Sequence, residues 1–455
     1  MLNRICCLLT ALALTSAVAS AQTALTPPPD LLKEISTRPG LALSDFTTFA
    51  LASNPTLQQS RTLIRESASR ASQAALLPNP TIGYQGEHIR GGSYGGGEQG
   101  AFIQQDIVLG GKLALRRNVY RQQRRADEIG ATEQRSRVVS GVAQNFYSAL
   151  AAQETVAVRR HLLNLALDAV QTAHQLANVG QADAPDVLQA EVEAEQATVD
   201  YTAAQHRYIA QFSSLAAASG NPALPLSALT GALENPPTID SGHLIEDILR
   251  ESPSIKRAQQ DVLSAEAEWK AAKREVVPDL QLRGGLEQSN EPLTGGPPPG
   301  IVGLQGFATA GITLPIFNRN QGNIAAAQAS IERARSEVTR LELSLRQTAG
   351  RLLEQYLANR DEARLYREQM IPRANRAYRL YLDKYGQMAA AYPQVLVSQR
   401  TLFQLQVSYV TVLENLWMTS VALENYTLDN ALQSPASAAV SVSVNAPASS
   451  GAAGQ

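Results

Sequence analysis

Residues 80–89 read PTIGYQGEHI and residues 278–287 read PDLQLRGGLE, and the two stretches lie 198 residues apart. In the second stretch leucines alternate with glutamine, arginine and glutamate, which is the period-two pattern of a strand with one apolar and one polar face. Each stretch begins with a proline, which ends the helical pattern before it. Pro55 and Pro253, which open the preceding helical patterns, have the same spacing. The chain is therefore predicted to be a duplicated unit.

Each half continues as a predicted β-hairpin, at 81–109 in the first half and at 279–316 in the second. The first hairpin turns through the glycine-rich run Gly91–Gly97, and the second through Ser289–Gly300. Each strand is about as long as the 9–11 residues that a tilted β-strand needs to cross a bilayer.

Each hairpin leads into a very long helical pattern, Lys112–Asn178 in the first half and Gln321–Tyr385 in the second. At 1.5 Å per residue each helix would be about 100 Å long. Each returns through a glycine-containing turn as a second helix, at about 185–218 and 393–432. Apolar residues recur every seven positions from Ile324, which predicts coiled-coil packing. The expected fold is mainly α, with long helical hairpins and four strands.

The N-terminus has the pattern of a secretory signal peptide. Arg4 precedes an apolar run, and Ala19-Ser20-Ala21 has the small-residue form of a cleavage site. Both cysteines, Cys6 and Cys7, lie inside this segment. The mature chain is therefore expected to lie beyond the cytoplasmic membrane and to contain no cysteine. The predicted segments are a signal peptide (1–21), an N-terminal extension (22–40), a first repeat (41–220, with its helical hairpin at 112–219), a linker (221–240), a second repeat (241–432, with its helical hairpin at 318–432) and a disordered tail (433–455).

The composition restricts the classes of function and fold that fit the chain. The 455 residues include 39 Lys and Arg against 41 Asp and Glu, a formal charge of −2. A nucleic-acid partner is not expected, because binding nucleic acid needs a basic surface. Aromatic residues make up only 5% of the chain, which suits long helices better than a large globular core.

No catalytic, cofactor or metal site is predicted. The chain has no phosphate-binding loop before a helix and no nucleophile-elbow motif. Its histidines show no ligand spacing that would predict a metal centre. They are His88, His161, His174, His206 and His243.

Four strands cannot close into a barrel, and open strand edges are not tolerated in lipid. Bacterial barrels begin at eight strands. If these strands span a membrane, the chain must therefore be an oligomer. Two copies would supply eight strands and three would supply twelve, which leaves more room for a channel.

Two stretches make a family resemblance specific. QDIVLGGK at 105–112 and LPIFNRNQG at 314–322 stand where each hairpin enters its long helix. Together with the order of elements over about residues 40–430, they resemble the TolC family of outer-membrane efflux ducts, and its CzcC-like heavy-metal branch in particular. The chain must bend at these junctions, and proline and glycine allow it to. The junction residues singled out are Gly110, Gly111, Pro315, Asn318 and Gly322.

The resemblance implies a passive homotrimeric duct, with no catalytic site and no cofactor, in the outer membrane of a Gram-negative bacterium. Three protomers would form a 12-stranded barrel in outer-membrane lipid and a 12-helix periplasmic tunnel. The implied partners are a periplasmic adaptor protein and an inner-membrane transporter of the resistance-nodulation-division (RND) type. Adaptor docking falls at the helix tips, which are Val179, Gly180 and Gln181 in the first repeat and Tyr385, Gly386 and Gln387 in the second.

The family also closes its tunnel near these tips, in some members with acidic rings. Asp186 stands at a matching position after the first tip, but the matching place in the second repeat holds Gln394. The sequence thus departs from the acidic-ring pattern. Asp383 and Lys384 complete the candidate gate, although all these charges could equally be ordinary solvated helix-end residues.

Other functions stay open on the sequence alone. The same fold could export drugs or other small molecules, or serve type I secretion, since the transporter selects the substrate. A periplasmic coiled-coil adaptor or scaffold would explain the signal and the helices, but it would leave four amphipathic strands unburied. A secreted enzyme is the third alternative, and it lacks a recognisable site.

Overall fold

The computed structural model describes residues 31–89, 97–180, 182–292, 300–387, 389, 392–428 and 430–436. The predicted signal peptide, the first hairpin loop from Arg90 to Gly96 and the part of the tail after Ala436 lie outside these residues. The described chain is mainly helical, with one antiparallel four-stranded sheet, as the sequence predicts. None of its helices is both long enough and apolar enough to cross a membrane.

The first half runs through two strands and two long helices. Its elements are α1 (Leu31–Ile35), α2 (Leu43–Ser53), α3 (Pro55–Gln73), β1 (Thr81–Glu87), β2 (Glu98–Ile107), α4 (Lys112–Asn178) and α5 (Ala184–Ala218). Proline at the first helical position starts α3, where its missing N–H costs nothing. No proline interrupts α4 over its 67 residues, so this helix runs unbroken for about 100 Å.

The second half repeats this order. Its elements are α6 (Leu244–Glu251), α7 (Pro253–Arg274), β3 (Leu280–Pro292), β4 (Ile301–Ile312), α8 (Gln321–Leu365), α9 (Ile371–Gly386) and α10 (Tyr392–Glu424). A π-helical turn, Tyr366–Met370, joins α8 to α9. The sequence predicts one uniform helix here. The difference has a cause in Pro372, which lacks a backbone N–H and forces the local hydrogen-bond pattern to change.

The last helix ends at Glu424, eight residues before the predicted end. Tyr426 and Thr427 have left-handed backbones, with φ of 58° and 61°. The Thr427 N–H donates to the Ala422 carbonyl at 2.7 Å, which closes the helix end as a Schellman turn does. Since no glycine marks this stop, the sequence pattern gives no sign of it.

The sheet has strand order β1-β2-β3-β4, so β1 and β4 are its two edges. The register places Tyr84, Ala101 and Leu286 in one cross-strand row and Gln85, Gly100 and Glu287 in the next. Because facing residues of paired strands share a face, the sheet has one apolar and one polar face. The polar face carries Arg283, whose guanidinium lies 3.9 Å from the centre of the Phe102 ring.

The main core lies at mid-length of the helices. Phe46 of α2 packs edge-on against Phe212 of α5 and is tilted against Phe146 of α4. The predicted linker joins this core, because Trp417 Nε1 donates to the Leu233 carbonyl at 2.8 Å. The segment 433–436, assigned to the disordered tail from the sequence, is also held: Gln134 donates to the Gln433 carbonyl at 2.9 Å.

The long helices form two rows that share α4. On the sheet side of the core, α3, α4, α7 and α8 pack in that order. On the opposite side the order is α5, α4, α10 and α9. The outer helix α5 exposes Leu188, Val192 and Val199, and α9 exposes Leu380 and Leu382. The second row therefore has uncovered apolar residues on both of its open sides.

Candidate functional site

The first helix tip is a tight, exposed turn. Gly180 has φ +75°, and a Cβ there would meet no atom within 4 Å. Only glycine adopts this backbone without strain. Its N–H donates to the Ala177 carbonyl at 3.0 Å. The neighbouring Val179 is 66% exposed, whereas Gln181 lies outside the described residues.

The second tip turns in a different way. Gly386 is the last residue of α9, and its φ is not among the left-handed ones. The Gln387 N–H donates to the Asp383 carbonyl at 3.1 Å, and the Ala389 N–H donates to the Lys384 carbonyl at 2.8 Å. The two tips match in sequence position, but the glycine requirement holds at Gly180 alone.

The helices of both tips meet in one small apolar cluster. Ala173 of α4, Ala190 of α5 and Tyr392 of α10 are buried together, and Tyr385 of α9 packs against them. The two tyrosine rings lie 5.6 Å apart. The tips of the two repeats therefore act as one packed unit, and movement of one hairpin must disturb the other.

The charge of Asp186 acts on this tyrosine pair. Burial, and then the charge of Asp186, raises the pKa of Tyr385. Burial, the two neighbouring tyrosines and Asp186 raise the pKa of Tyr392 to about 12. The hydroxyl of Tyr385 is buried and has no hydrogen-bond partner in the described part of the chain. Both tyrosines are therefore neutral at physiological pH.

The other candidate gate residues are solvent-exposed in the single protomer. Asp383, Lys384 and Gln394 lie on the surface, and Asp186 is half-buried. Over the described residues, no ion pair joins Asp186 to Lys384. Of the four candidate gate residues, Asp186 acts on the tyrosines through its charge. The side chains of Asp383, Lys384 and Gln394 are exposed to solvent.

The first strand–helix junction is closed by the second repeat of the same chain. Gly110 and Gly111 have left-handed backbones, with φ of 70° and 71°. Lys112 is only 4% exposed, and its ammonium contacts Asp279 Oδ2 at 2.7 Å and donates to the Val277 carbonyl at 2.9 Å. One turn later, Arg116 forms a two-bond ion pair with Glu275, at 3.0 and 3.1 Å.

The second junction has the matching backbone and a different environment. Asn320 precedes α8 with φ 57°, as Gly111 precedes α4. The Asn320 side chain donates to the Ala272 carbonyl at 2.8 Å, and the Asn318 carboxamide oxygen accepts from the Asn320 N–H at 3.1 Å. Phe317 is 92% exposed. Pro315 supplies the bend, and Gly322 lies inside α8 with no atom within 4 Å of a Cβ position.

One histidine lies near two carboxylates. Candidate ligand atoms of Glu87, His88 and Glu98 lie within 4.8 Å of one another, although the sequence predicts no metal site. Residue spacing does not reveal this group, because the hairpin register brings Glu98 opposite Glu87. In the described residues His174 and His243 each contact a single carboxylate, at 3.1 and 3.5 Å.

The Tyr385–Tyr392 pair and the Lys112–Asp279 contact are features of the tips and of the first junction that residue spacing does not reveal. A signal for the second was present. Asp279 follows a proline of the 198-residue repeat, and Lys112 opens a long helix. Nothing in the spacing indicates that the two repeats exchange this contact.

Comparison with known proteins gives three results. A family model described as "Outer membrane efflux protein" matches residues 48–221 and 244–427. The cobalt-zinc-cadmium resistance protein CzcC of Cupriavidus metallidurans is 24% identical over 384 residues, which cover 84% of this chain and 89% of that protein.

Among solved structures, a crystal structure of CusC superposes with a TM-score of 0.72 at 17% identity, covering 85% of this chain and 92% of that one. The outer membrane protein VceC of Vibrio cholerae gives 0.69 at 17% identity, with 85% and 96% coverage. The residues matched by the family model include both repeats and all four strands of the sheet.

Proposed function

The chain belongs to the outer membrane efflux protein family, and from that premise we propose that three copies form the passive exit duct of a tripartite heavy-metal efflux pump. As a family member it is an outer-membrane efflux protein and not an enzyme. In the proposed pump, an RND transporter in the inner membrane supplies the energy and a periplasmic adaptor joins it to the duct.

The observation that carries the proposal is a difference between the two strand–helix junctions: within the described chain, the first packs against the other repeat and the second does not. The first junction is bonded to the α7–β3 connection of the second repeat, through Lys112 and Asp279. The second junction has no such partner in the described chain. The equivalent connection, between α3 and β1, exposes Leu76 and Leu77. A neighbouring copy would cover these apolar residues and those of the second junction.

The sheet also supports the closure of a ring by neighbouring copies. Its edge strands β1 and β4 could pair between neighbouring copies, which would satisfy the backbone groups that lipid cannot. Three copies would give twelve strands and two rows of twelve helices. The apolar face, with Ile82, Tyr84 and Leu304 strongly exposed, would then meet lipid, and the polar face would line the lumen.

The cargo is inferred from the relative and from the polar face of the sheet. The relative that aligns over most of both chains is named for cobalt, zinc and cadmium resistance. The polar face of the sheet carries Gln85, Gln104, Arg283 and Glu287, which suits hydrated ions. Metal cations of this class are therefore the proposed substrates.

The tips are the proposed adaptor-docking surface. Val179 and Gly180 are exposed, and so are Gly386 and Gln387. Tyr385 packs in the cluster, whereas these four residues leave their surfaces free for helices of another protein.

The gate is proposed to lie directly above the tips, around Asp186 and Lys384. A charge-reversal series tests it in planar bilayers. Asp186→Lys and Lys384→Asp are each expected to raise the conductance above that of the wild type. The double variant is expected to return the conductance to the wild-type level. Glu195→Lys, at an exposed position further along α5, is the control. Identical conductance of all variants would contradict the gate.

Fractionation and metal tolerance test the function. The protein is expected in the detergent-soluble outer-membrane fraction as a trimer, and deletion of its gene is expected to lower tolerance to cobalt, zinc or cadmium. A periplasmic scaffold predicts recovery as a soluble monomer, and that result would contradict the duct. Loss of tolerance to organic drugs alone would contradict the metal cargo and leave the duct.

A further inference from the structure

The far end of the first hairpin brings three metal-binding side chains together. Glu87 and Glu98 are the last register pair of β1 and β2, so their carboxylates share one face of the sheet. His88 follows directly. Candidate ligand atoms of the three residues lie within 4.8 Å of one another.

His88 belongs to this group because of its backbone. In a regular strand it would point to the face opposite Glu87. Its φ is +53°, which breaks the alternation. Histidine is among the residues enriched in this region. The imidazole therefore lies beside the carboxylates.

Neighbouring side chains orient both carboxylates. Gln85 Nε2 donates to Glu87 Oε1 at 2.7 Å, and the hydroxyl of the fully buried Ser289 donates to Glu98 Oε1 at 3.2 Å. Among the described residues, no hydrogen bond engages the second oxygen of either carboxylate. Hydrogen bonds of this kind position the ligands of metal sites.

The donor set selects the class of ion. Two carboxylates and an imidazole suit divalent zinc or cobalt, whereas calcium and magnesium take oxygen donors. Tetrahedral ligands at about 2.1 Å would stand about 3.4 Å apart. Rotation of the long glutamate side chains can close the remaining separation, because Glu87 and His88 are exposed and Glu98 is half-buried.

We propose that Glu87, His88 and Glu98 form a binding site for one divalent transition-metal ion, on the polar face of the sheet at the end away from the helices. Its place at the outer mouth of a duct rests on the proposed function, but the ligand geometry does not. In a trimer three sites would ring the mouth and hold ions weakly as they leave.

Zinc titration of the full-length, untagged protein in detergent tests the site. Isothermal calorimetry is expected to show one Zn²⁺ per protomer, which excess Ca²⁺ does not displace. His88→Gln and Glu98→Gln are each expected to weaken binding by more than about 10-fold, since each removes a ligand. Circular dichroism checks that the variants keep the wild-type fold.

The matched control is His243→Gln, because the His243 side chain is 85% exposed and its imidazole, within the described residues, pairs with the single carboxylate of Glu246. It should bind zinc as the wild type does. Absence of a one-per-protomer site, unchanged affinity in His88→Gln, or an equal loss in His243→Gln would overturn the proposal. Normal zinc binding with no metal-tolerance phenotype would instead contradict the proposed cargo and leave the site standing.

Discussion

The two strand–helix junctions have the same backbone design and opposite surroundings. Gly111 and Asn320 each precede a long helix in a left-handed conformation. At the first junction, Lys112 is buried against Asp279 of the other repeat. At the second, Leu314, Ile316 and Phe317 are exposed. We call the first junction, together with its contacts to the α7–β3 connection, the closed seam. We call the second junction, together with the α3–β1 connection that matches it in the repeat, the open seam.

The chemistry of the two seams differs as well. Arg116 and Glu275 form an ion pair across the closed seam. Counting from the helix starts and from the repeated prolines, the matching residues of the open seam are Ala325 and Leu77. The closed seam is held together by charge within one chain. The open seam is apolar, which favours association, because apolar area gains free energy when a partner covers it.

The largest expected difference between the seams is at the helix starts. Lys112→Ala leaves Asp279 without its cation and the Val277 carbonyl without a donor. We expect a loss of about 2 kcal/mol, below the 3–5 kcal/mol typical of fully buried pairs, because Asp279 is 36% exposed.

The matched variant in the open seam is Gln321→Ala, at the equivalent and exposed position. It removes the exposed hydrogen bond in which Gln321 Oε1 accepts from the Arg319 N–H at 2.8 Å, so it should cost no more than about 1 kcal/mol. Thermal unfolding midpoints of the detergent-solubilised protein measure both. Equal losses would mean that the closed seam has no special role.

Substitution of a junction glycine by alanine should change the stability of the protein with opposite signs at the two seams. Gly110 has φ +70°, and a Cβ there would lie 2.9 Å from Val277 Cγ1. Gly110→Ala should therefore cost about 1–2 kcal/mol. Gly322→Ala lies inside a helix with open space and should stabilise by about 0.5–1 kcal/mol. Scanning calorimetry of the two variants measures both changes in stability. Destabilisation of the same size in both would contradict the expected difference between the seams.

The smallest expected effect depends on pH. Asp261 of α7 lies in the helix row on the sheet side of the core, with one carboxylate oxygen buried and unpartnered among the described residues. Burial raises its pKa, the nearby Arg257 lowers it, and Asp127 and Glu133 raise it further. Because its pKa in the folded protein is above its usual value, its stabilising contribution is present in acid and is lost as the pH rises through the folded pKa.

Asp261→Asn should therefore raise the unfolding midpoint at pH 7, by about 1–3 °C, and the gain should disappear near pH 4. Asp168→Asn, at an exposed position of α4, is the control and should give no pH-dependent gain. A gain that persists in acid would show that the effect is not electrostatic.

Much of the fold follows from sequence patterns, for identifiable reasons. The alternation around Leu282 and Leu286 predicts a two-faced strand, and both leucines lie on the apolar face. The absence of proline over 112–178 predicts the unbroken α4. The π turn and the early end of α10 were not predicted, because a helical period does not register a change of hydrogen-bond partner or a left-handed Tyr426.

The candidate sites were less predictable, because they depend on contacts between distant segments. The meeting of Asp186 with Tyr385 and Tyr392 requires two hairpins to pack tip to tip. The Glu87–His88–Glu98 group requires a hairpin register and a left-handed histidine. The contrast between the seams requires the two repeats to be seen together, since each junction alone has the same pattern.

Cross-linking across the open seam tests the central claim most directly. The mature chain is predicted to have no cysteine, so Leu77→Cys and Ala325→Cys can be introduced together and treated with a short bifunctional maleimide. The control pairs Leu77→Cys with Leu343→Cys, an exposed position on the same helix about 27 Å further along.

Closure by neighbouring copies predicts covalent trimers on a denaturing gel for the Leu77–Ala325 pair and none for the control. Only monomers with the first pair, or equal trimer yields with both, would contradict the account.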